Sequence, residues 1–148
     1  MTQRVLIIDD TKNIHGLVKA RLAGEPVELH SAFTSADGLA QAGTLLPDLI
    51  LLDVEMPDVD GFEVCRRLKG QPATMNIPVV FLTGAGSTDE KIRGLELGAV
   101  DYVTKPFEPA ELRARVKSSL RTKRLIDSLA RKRVSDFLRE AVSEARAA

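Results

Sequence analysis

Three carboxylates, a hydroxyl and an ammonium stand at the C-terminal ends of short aliphatic runs in this 148-residue chain: Asp9 and Asp10 after Val5 to Ile8, Asp53 after Leu49 to Leu52, Thr83 after Val79 to Leu82, and Lys105 at the end of a fourth run. These groups suit a divalent cation and a phosphoryl group. Carboxylates crowded into one crevice raise one another's pKa unless a cation joins them. Mg²⁺ is a hard ion that takes a few carboxylates, water and phosphate oxygens, and Asp10, Asp53 and a loop carbonyl could supply its protein ligands. Carboxylates also serve as covalent phosphoryl acceptors, the role open to Asp53. Gly84, Ala85 and Gly86 are small and leave the Thr83 hydroxyl free to meet a phosphoryl oxygen. Lys105 precedes Pro106, which keeps its backbone extended and lets its side chain reach back over the crevice.

Each residue alone has a plainer reading. Asp9 or Asp10 could cap the helix that starts near Lys12. Asp53 could be a turn residue, Thr83 an ordinary strand threonine and Lys105 a solvated surface cation. Their convergence depends on the elements that carry them.

Those elements alternate strictly. Strands are expected at Arg4 to Asp10, Val27 to Ala32, Asp48 to Val54, Ile77 to Thr83 and Val100 to Lys105. Helices are expected at Lys12 to Ala23, with Ile14, Leu17, Val18 and Leu22 at helical spacing, and at Ser35 to Leu46, Gly61 to Lys69 and Thr88 to Leu97, with a fifth beginning at Glu108. The third strand is apolar on both faces, as the middle of a helix-covered parallel sheet requires. The pattern predicts a doubly wound α/β fold with right-handed crossovers. In such a sheet the C-terminal strand ends form the ligand crevice, which brings the five polar residues together.

Composition narrows the function. Residues 1–107 carry 10 Lys and Arg against 15 Asp and Glu, and residues 108–148 carry 11 against 6. The basic segment interleaves its charges with Leu, Ile and Ser and lacks aromatic partners, so it reads as a solvated helix face; a nucleic-acid partner is not expected. The first apolar run is too short for a signal peptide or a membrane span, which predicts a cytoplasmic protein with no membrane association. Cys65 alone forms no internal disulfide, and His15 and His30 complete no Cys/His zinc cluster. Cys65 is expected to be a small residue on a helix.

In motif and order the chain resembles the receiver domain of bacterial two-component response regulators. The resemblance rests on Ile-Ile-Asp-Asp at 7–10, Leu-Leu-Asp-Val-Glu-Met-Pro-Asp-Val-Asp-Gly at 51–61, Leu-Thr-Gly-Ala at 82–85 and Gly-Ala-Val-Asp-Tyr-Val-Thr-Lys-Pro-Phe at 98–107. It implies a flavodoxin-like five-stranded sheet of order 2-1-3-4-5 and a receiver over residues 1–120. It implies further that Asp53 accepts a phosphoryl group from a phosphohistidine on a sensor histidine kinase or histidine phosphotransfer protein. Asp9, Asp10, Asp53 and the Glu55 carbonyl would hold Mg²⁺, Lys105 would pair with the phosphoryl oxygens, and Thr83 and Tyr102 would form the switch. Read without the resemblance, Tyr102 is a half-buried strand aromatic. Glu55 and Ala85 occupy the family's variable positions, which tune phosphoryl lifetime. The signal would bias the surface of helix four, strand five and helix five.

From Pro109 to the end there is no Gly or Pro, so one helix of about 60 Å is possible at ~1.5 Å per residue. Leu112, Val116 and Leu120 form an i, i+4, i+8 stripe; Leu125 and Leu129 follow, then Val134, Leu138 and Val142, and the step from 129 to 134 breaks a coiled-coil register. Residues 121–148 are a helical extension similar to the stalk joining receivers to diguanylate cyclase domains, although this chain has no Gly-Gly-Asp-Glu-Phe motif. Either an output domain is missing or the receiver stands alone; no output enzyme is read in the chain. Homodimers are expected through helix four, strand five and helix five or through the C-terminal helix. The rival reading is a haloacid dehalogenase-like phosphatase, which needs an Asp two residues after its nucleophile where this chain has Glu55. A flavodoxin-like cofactor binder needs a glycine-bearing phosphate loop after strand one, and Asp10 to Ile14 has no glycine.

Overall fold

The computed structural model describes residues 2–84 and 86–147; Ala85, read above as a neighbour of the switch threonine, lies outside the described residues. The chain runs β1 (Gln3–Ile8), α1 (Lys12–Arg21), β2 (Val27–Ala32), α2 (Ser35–Leu45), β3 (Leu49–Asp53), α3 (Gly61–Lys69), β4 (Val79–Thr83), α4 (Thr88–Glu96), β5 (Asp101–Thr104) and α5 (Pro109–Ala147). All four strand pairs are parallel and the order is β2-β1-β3-β4-β5, so β3 is the middle strand.

Side chains along a strand point alternately to the two faces of a sheet. Leu6, Ile8, Ile50, Leu52 and Phe81 accordingly pack with Phe62, Val64, Cys65 and Leu68 of α3, whereas Val5, Ile7, Leu49, Leu51, Val80 and Leu82 pack with Val18 and Leu22 and with Leu112, Val116 and Leu120 of α5. Every residue of β3 and of β4 is buried, which explains their nearly unbroken apolar runs.

The elements are a little shorter than the pattern predicts. β1 ends at Ile8, because Asp9 sends its N–H to Ala32 (3.1 Å) and turns away with its carboxylate accepting from the Thr11 N–H (2.9 Å). α1 ends at Arg21, ahead of Gly24, whose φ of 87° suits a residue without Cβ. Leu17 departs from the expected apolar stripe: it is 43% exposed, because Val18 and Leu22 already face the sheet. The capping alternative for Asp9 and Asp10 is also corrected, since Thr11 occupies the N-cap position and makes no side-chain capping bond.

α5 is 39 residues long, and Pro109 opens it at a position where no backbone N–H is needed. Its first three turns cover the sheet, and Gln3 fastens it there by donating from Nε2 to the Leu120 carbonyl (3.2 Å) and accepting from Arg124 (2.5 Å). Beyond that point Leu125, Leu129, Val134, Phe137, Leu138 and Val142 are all more than half exposed. Among the described residues no helix is long and apolar enough to cross a membrane.

Candidate functional site

Parallel register delivers the polar residues to one pole. Ile8 pairs with Leu52 and Asp53 with Leu82, so Asp9, Asp53 and Thr83 leave the sheet side by side. Lys105 joins them because its N–H donates to the Thr83 carbonyl (2.7 Å), continuing the β4–β5 ladder one residue further. The Lys105–Pro106 bond is cis. The resulting cleft, about 350 Å³, is lined by Asp10, Thr11, Asp53, Val54, Glu55, Thr83, Gly84 and Lys105.

One ligand oxygen from each of Asp9, Asp10 and Asp53 lies within 4.8 Å of the others. Asp9 is fully buried, Asp53 is 6% exposed and Asp10 faces solvent. Lys105 Nζ donates to Asp9 Oδ2 (2.8 Å) and to Asp53 Oδ1 (3.3 Å). Asp53 Oδ1 also accepts from the Glu55 N–H at 3.3 Å. Burial, with the negative charge of Asp9 added to it, pushes the Asp53 carboxyl up to about 6, and Lys105 only partly offsets this. Burial opposes the charge on Lys105, yet its bond to Asp9 and the nearby Asp53 charge hold its pKa above the ordinary lysine value. Three acids against one ammonium leave an excess of negative charge in a partly dry cleft. The donor set therefore fits a hard divalent cation.

The loop after Asp53 is anchored from outside. Asp58 accepts from the N–H groups of Ser35 and Ala36 (3.1 Å each) at the start of α2, and Ser35 Oγ donates to the Val59 carbonyl (2.5 Å). The Ser35 N–H bond, with that of Ala36 behind it, draws the Asp58 carboxyl down to about 2. Asp60 then caps α3 by accepting from the Glu63 N–H at 2.9 Å. Gly61 sits so close beneath Asp53 that a Cβ would stand 2.2 Å from the Asp53 carbonyl oxygen. Only glycine fits there.

Thr83 is 5% exposed at the cleft wall. Tyr102 lies away from the carboxylates: its hydroxyl donates to the Glu90 carbonyl of α4 (2.8 Å), and its ring packs on Phe81 with centroids 5.5 Å apart. A Cβ on Gly94 would meet that hydroxyl at 2.0 Å, so Gly94 makes the seat for Tyr102. Glu55 is exposed on the loop. Cys65 is fully buried in α3, where burial raises its thiol pKa.

The residues read from the motifs thus gather at one cleft, except Tyr102, whose hydroxyl is turned to α4. Three contributors escaped sequence reasoning. Gly61 and Gly94 act through missing atoms, and the sequence offers no sign of which glycine faces a carbonyl. His15 is buried directly behind Asp9; a histidine in the first turns of a helix that follows two acids was the available signal.

The phosphatase alternative finds no support in this arrangement, because position 55 carries an exposed glutamate and the acid pair arrives from β1. A family profile for the response regulator receiver domain matches residues 5–117. Response regulator PleD of Caulobacter vibrioides is 44% identical over 135 residues, which are 91% of this chain and 30% of PleD. The DNA-binding dual master transcriptional regulator RpaA of Synechocystis is 46% identical over 118 residues, 80% of this chain and 49% of RpaA. The chain therefore spans between about a third and a half of the length of these two relatives. Among solved structures, the receiver domain of the Francisella response regulator 1452 superimposes with a TM-score of 0.74 at 34% identity, covering 81% of this chain and 98% of that one. Vibrio cholerae chemotaxis protein CheY4 gives 0.75 at 29%, covering 80% and 99%. With matching sequence motifs, sheet order and acid-lined cleft, the chain belongs to the receiver domain family of two-component response regulators.

Proposed function

We propose that this receiver is a phosphorylation switch in which Asp53 takes a phosphoryl group from a phosphohistidine of a sensor histidine kinase or phosphotransfer protein. The observation that carries the reading is the meeting of Asp9, Asp10 and Asp53 within 4.8 Å beside the Lys105 ammonium. Asp9, Asp10 and Asp53, with the Glu55 carbonyl, hold Mg²⁺. When bound, the ion neutralises the carboxylates and the charge on the transferring phosphoryl oxygens.

Asp53 supplies the nucleophile: an oxygen–phosphorus bond forms as the nitrogen–phosphorus bond of the donor breaks, and the leaving imidazole keeps the electron pair. Lys105, already directed at Asp53, offsets charge on the phosphoryl oxygens. Thr83 then donates its hydroxyl to the phosphoryl group, a bond it lacked before. Movement of Thr83 is passed to Tyr102, whose hold on the Glu90 carbonyl ties β5 to α4. The surface of α4, β5 and α5 is thereby biased by a group carrying nearly two negative charges at neutral pH. Hydrolysis of the aspartyl phosphate resets the switch.

Incubation with acetyl phosphate and Mg²⁺ tests this reading. A base-labile adduct is expected on the wild type and none on Asp53→Asn. Equal labelling of the two proteins removes Asp53 as acceptor.

Residues 1–120 form the receiver, and 121–148 a helical stalk that associates two copies. At about 100° per residue, Val134, Phe137, Leu138 and Ala141 continue the face that α5 buries through Leu112, Val116 and Leu120. Arg131 borders one side of that face and Arg133, Glu140 and Glu144 the other, whereas Arg139 stands on the far side of the helix. Monomers at high concentration in light scattering, with and without beryllofluoride, exclude this association.

A further inference from the structure

His15 projects from α1 beneath the acid pair and is 3% exposed. Its Nε2 lies 2.8 Å from the backbone carbonyl of Asp9, and its Nδ1 lies 2.8 Å from the Ser31 hydroxyl of β2. A carbonyl can only accept, so Nε2 carries the hydrogen and donates it. Phe33 stacks beside the imidazole with ring centroids 4.3 Å apart. The ring is thus held on two sides by hydrogen bonds and on a third by an aromatic face.

That carbonyl belongs to the peptide joining Asp9 to Asp10. A peptide unit is planar, so holding the Asp9 oxygen also fixes the N–H and Cα of Asp10. Asp9 has other restraints: its N–H bonds Ala32, its Oδ1 accepts from Thr11 and its Oδ2 from Lys105. Asp10 is exposed, and its carboxylate must reach within 4.8 Å of two buried neighbours from a turn between β1 and α1. His15 is the side chain that sets the plane from which Asp10 departs.

We infer that His15 is a positioning residue for the divalent cation: by holding the Asp9–Asp10 peptide it aims the Asp10 carboxylate, and so sets Mg²⁺ affinity without touching the ion. The inference rests on the proposed Mg²⁺ site. Its physical basis is that a cation of small radius tolerates little error in ligand placement, and outer partners of ligands typically change metal affinity ~10–100-fold when removed. Because His15 acts through a backbone carbonyl and not through a ligand atom, a loss near the lower end is expected.

The test is titration of Mg²⁺ by calorimetry into wild type, His15→Leu, His15→Gln and Ser31→Ala, with thermal midpoints measured in EDTA. His15→Leu is expected to weaken Mg²⁺ about tenfold. Glutamine keeps an N–H donor of comparable reach and should recover most of the affinity. Ser31→Ala frees only Nδ1 and should weaken binding by a small factor, which keeps the question open to measurement if the leucine variant does not fold. With acetyl phosphate, the Mg²⁺ concentration needed for half-maximal labelling should rise in His15→Leu while the maximal extent at saturating Mg²⁺ is kept. Unchanged Mg²⁺ affinity in His15→Leu and Ser31→Ala, with lowered thermal midpoints, overturns the inference and leaves His15 a packing residue. A wild type that binds no Mg²⁺ overturns the site reading itself, a separate result.

Discussion

At the strand ends Lys105 is 21% exposed and stands 2.8 Å from a carboxylate with no exposure, whereas in the outer half of α5 Arg139 is 77% exposed and stands 3.7 Å from the half-exposed Asp136. Leucines divide in the same way: Leu112 is fully buried, and Leu138, on the same helix, is 56% exposed. Residue type is therefore a poor guide to consequence, and surroundings decide. In the cleft water is partly excluded, so burial and the charge of Asp9 push one carboxyl from 3.8 up to about 6. On the outer helix, solvent screens each pair and rotamer entropy opposes it. Chemistry belongs to the first region, and the second is free to serve as a connecting surface.

The largest expected effect tests how tightly the cleft is built. Gly61→Ala places a Cβ at 2.2 Å from the Asp53 carbonyl oxygen, backbone that cannot yield without moving Asp53 itself. A loss of about 3 kcal/mol is expected in urea unfolding, with labelling by acetyl phosphate abolished or severely slowed. Ser135→Ala on the exposed outer helix should change neither. If Gly61→Ala folds and labels normally, the loop beneath Asp53 is softer than its contacts indicate.

Leu112→Ala against Leu138→Ala compares one residue type on the two halves of α5. Removing the buried side chain should cost about 3 kcal/mol, and removing the exposed one less than about 0.5 kcal/mol in dilute protein. Should the Leu138 variant lose more as protein concentration is raised, its side chain is buried between copies and the contrast of the two halves belongs to the monomer alone.

The cleft was the more legible region for a physical reason. Buried parallel strands must be apolar on both faces, so a polar residue at the end of Leu49–Asp53 or Val79–Thr83 stands out, and the parallel topology fixes where such residues meet. The strand and helix ends were less exact, because Asp9 leaves the ladder by a hydrogen bond that spacing does not encode. Leu17 looked like a core residue because helical spacing identifies a stripe but not which edge of it the sheet covers. His15 was legible only as a histidine without zinc partners; that both its nitrogens are engaged emerges only when β2 brings Ser31 alongside. Along α5 apolar residues continue past Leu120, out of phase at Leu125 and Leu129 and in phase again from Val134, although the sheet that covers the helix ends at Leu120.

An intermediate effect concerns acidity. Asp53 has a folded pKa near 6 against 3.8 for the free group. Below 3.8 the carboxyl is protonated in both states and costs nothing. As pH rises through 6 the unfolded chain keeps its preference for the ionised form, and the stability that the proton conferred on the fold is lost. In the absence of Mg²⁺, the stability of Asp53→Asn relative to wild type should therefore grow between pH 4 and pH 7 by roughly 2 kcal/mol, measured by urea midpoints. Adding Mg²⁺ should shrink the difference, since a cation compensates the ionised acid in the wild type. A difference that is flat with pH means the cleft is wetter, and closer to the outer helix in character, than its burial implies.

The smallest effect lies where the two regions differ most. Arg139→Ala removes an exposed cation whose nearest acid is 3.7 Å away on the same helix, so the unfolding midpoint of dilute protein should not move measurably. Arg139 also stands on the far side of α5 from the apolar face, so an associating second copy would not meet it. Self-association followed by sedimentation should then be unchanged in Arg139→Ala at low or high salt, and weaken a fewfold in Phe137→Ala, whose exposed ring lies on that face. Lys105→Met should also leave self-association alone, but it should remove labelling of Asp53, with little relief from salt, since its partners are buried in the cleft. A loss of association in Arg139→Ala would instead place that arginine in the contact through its aliphatic stem, and the outer helix would then share with the cleft a dependence on burial.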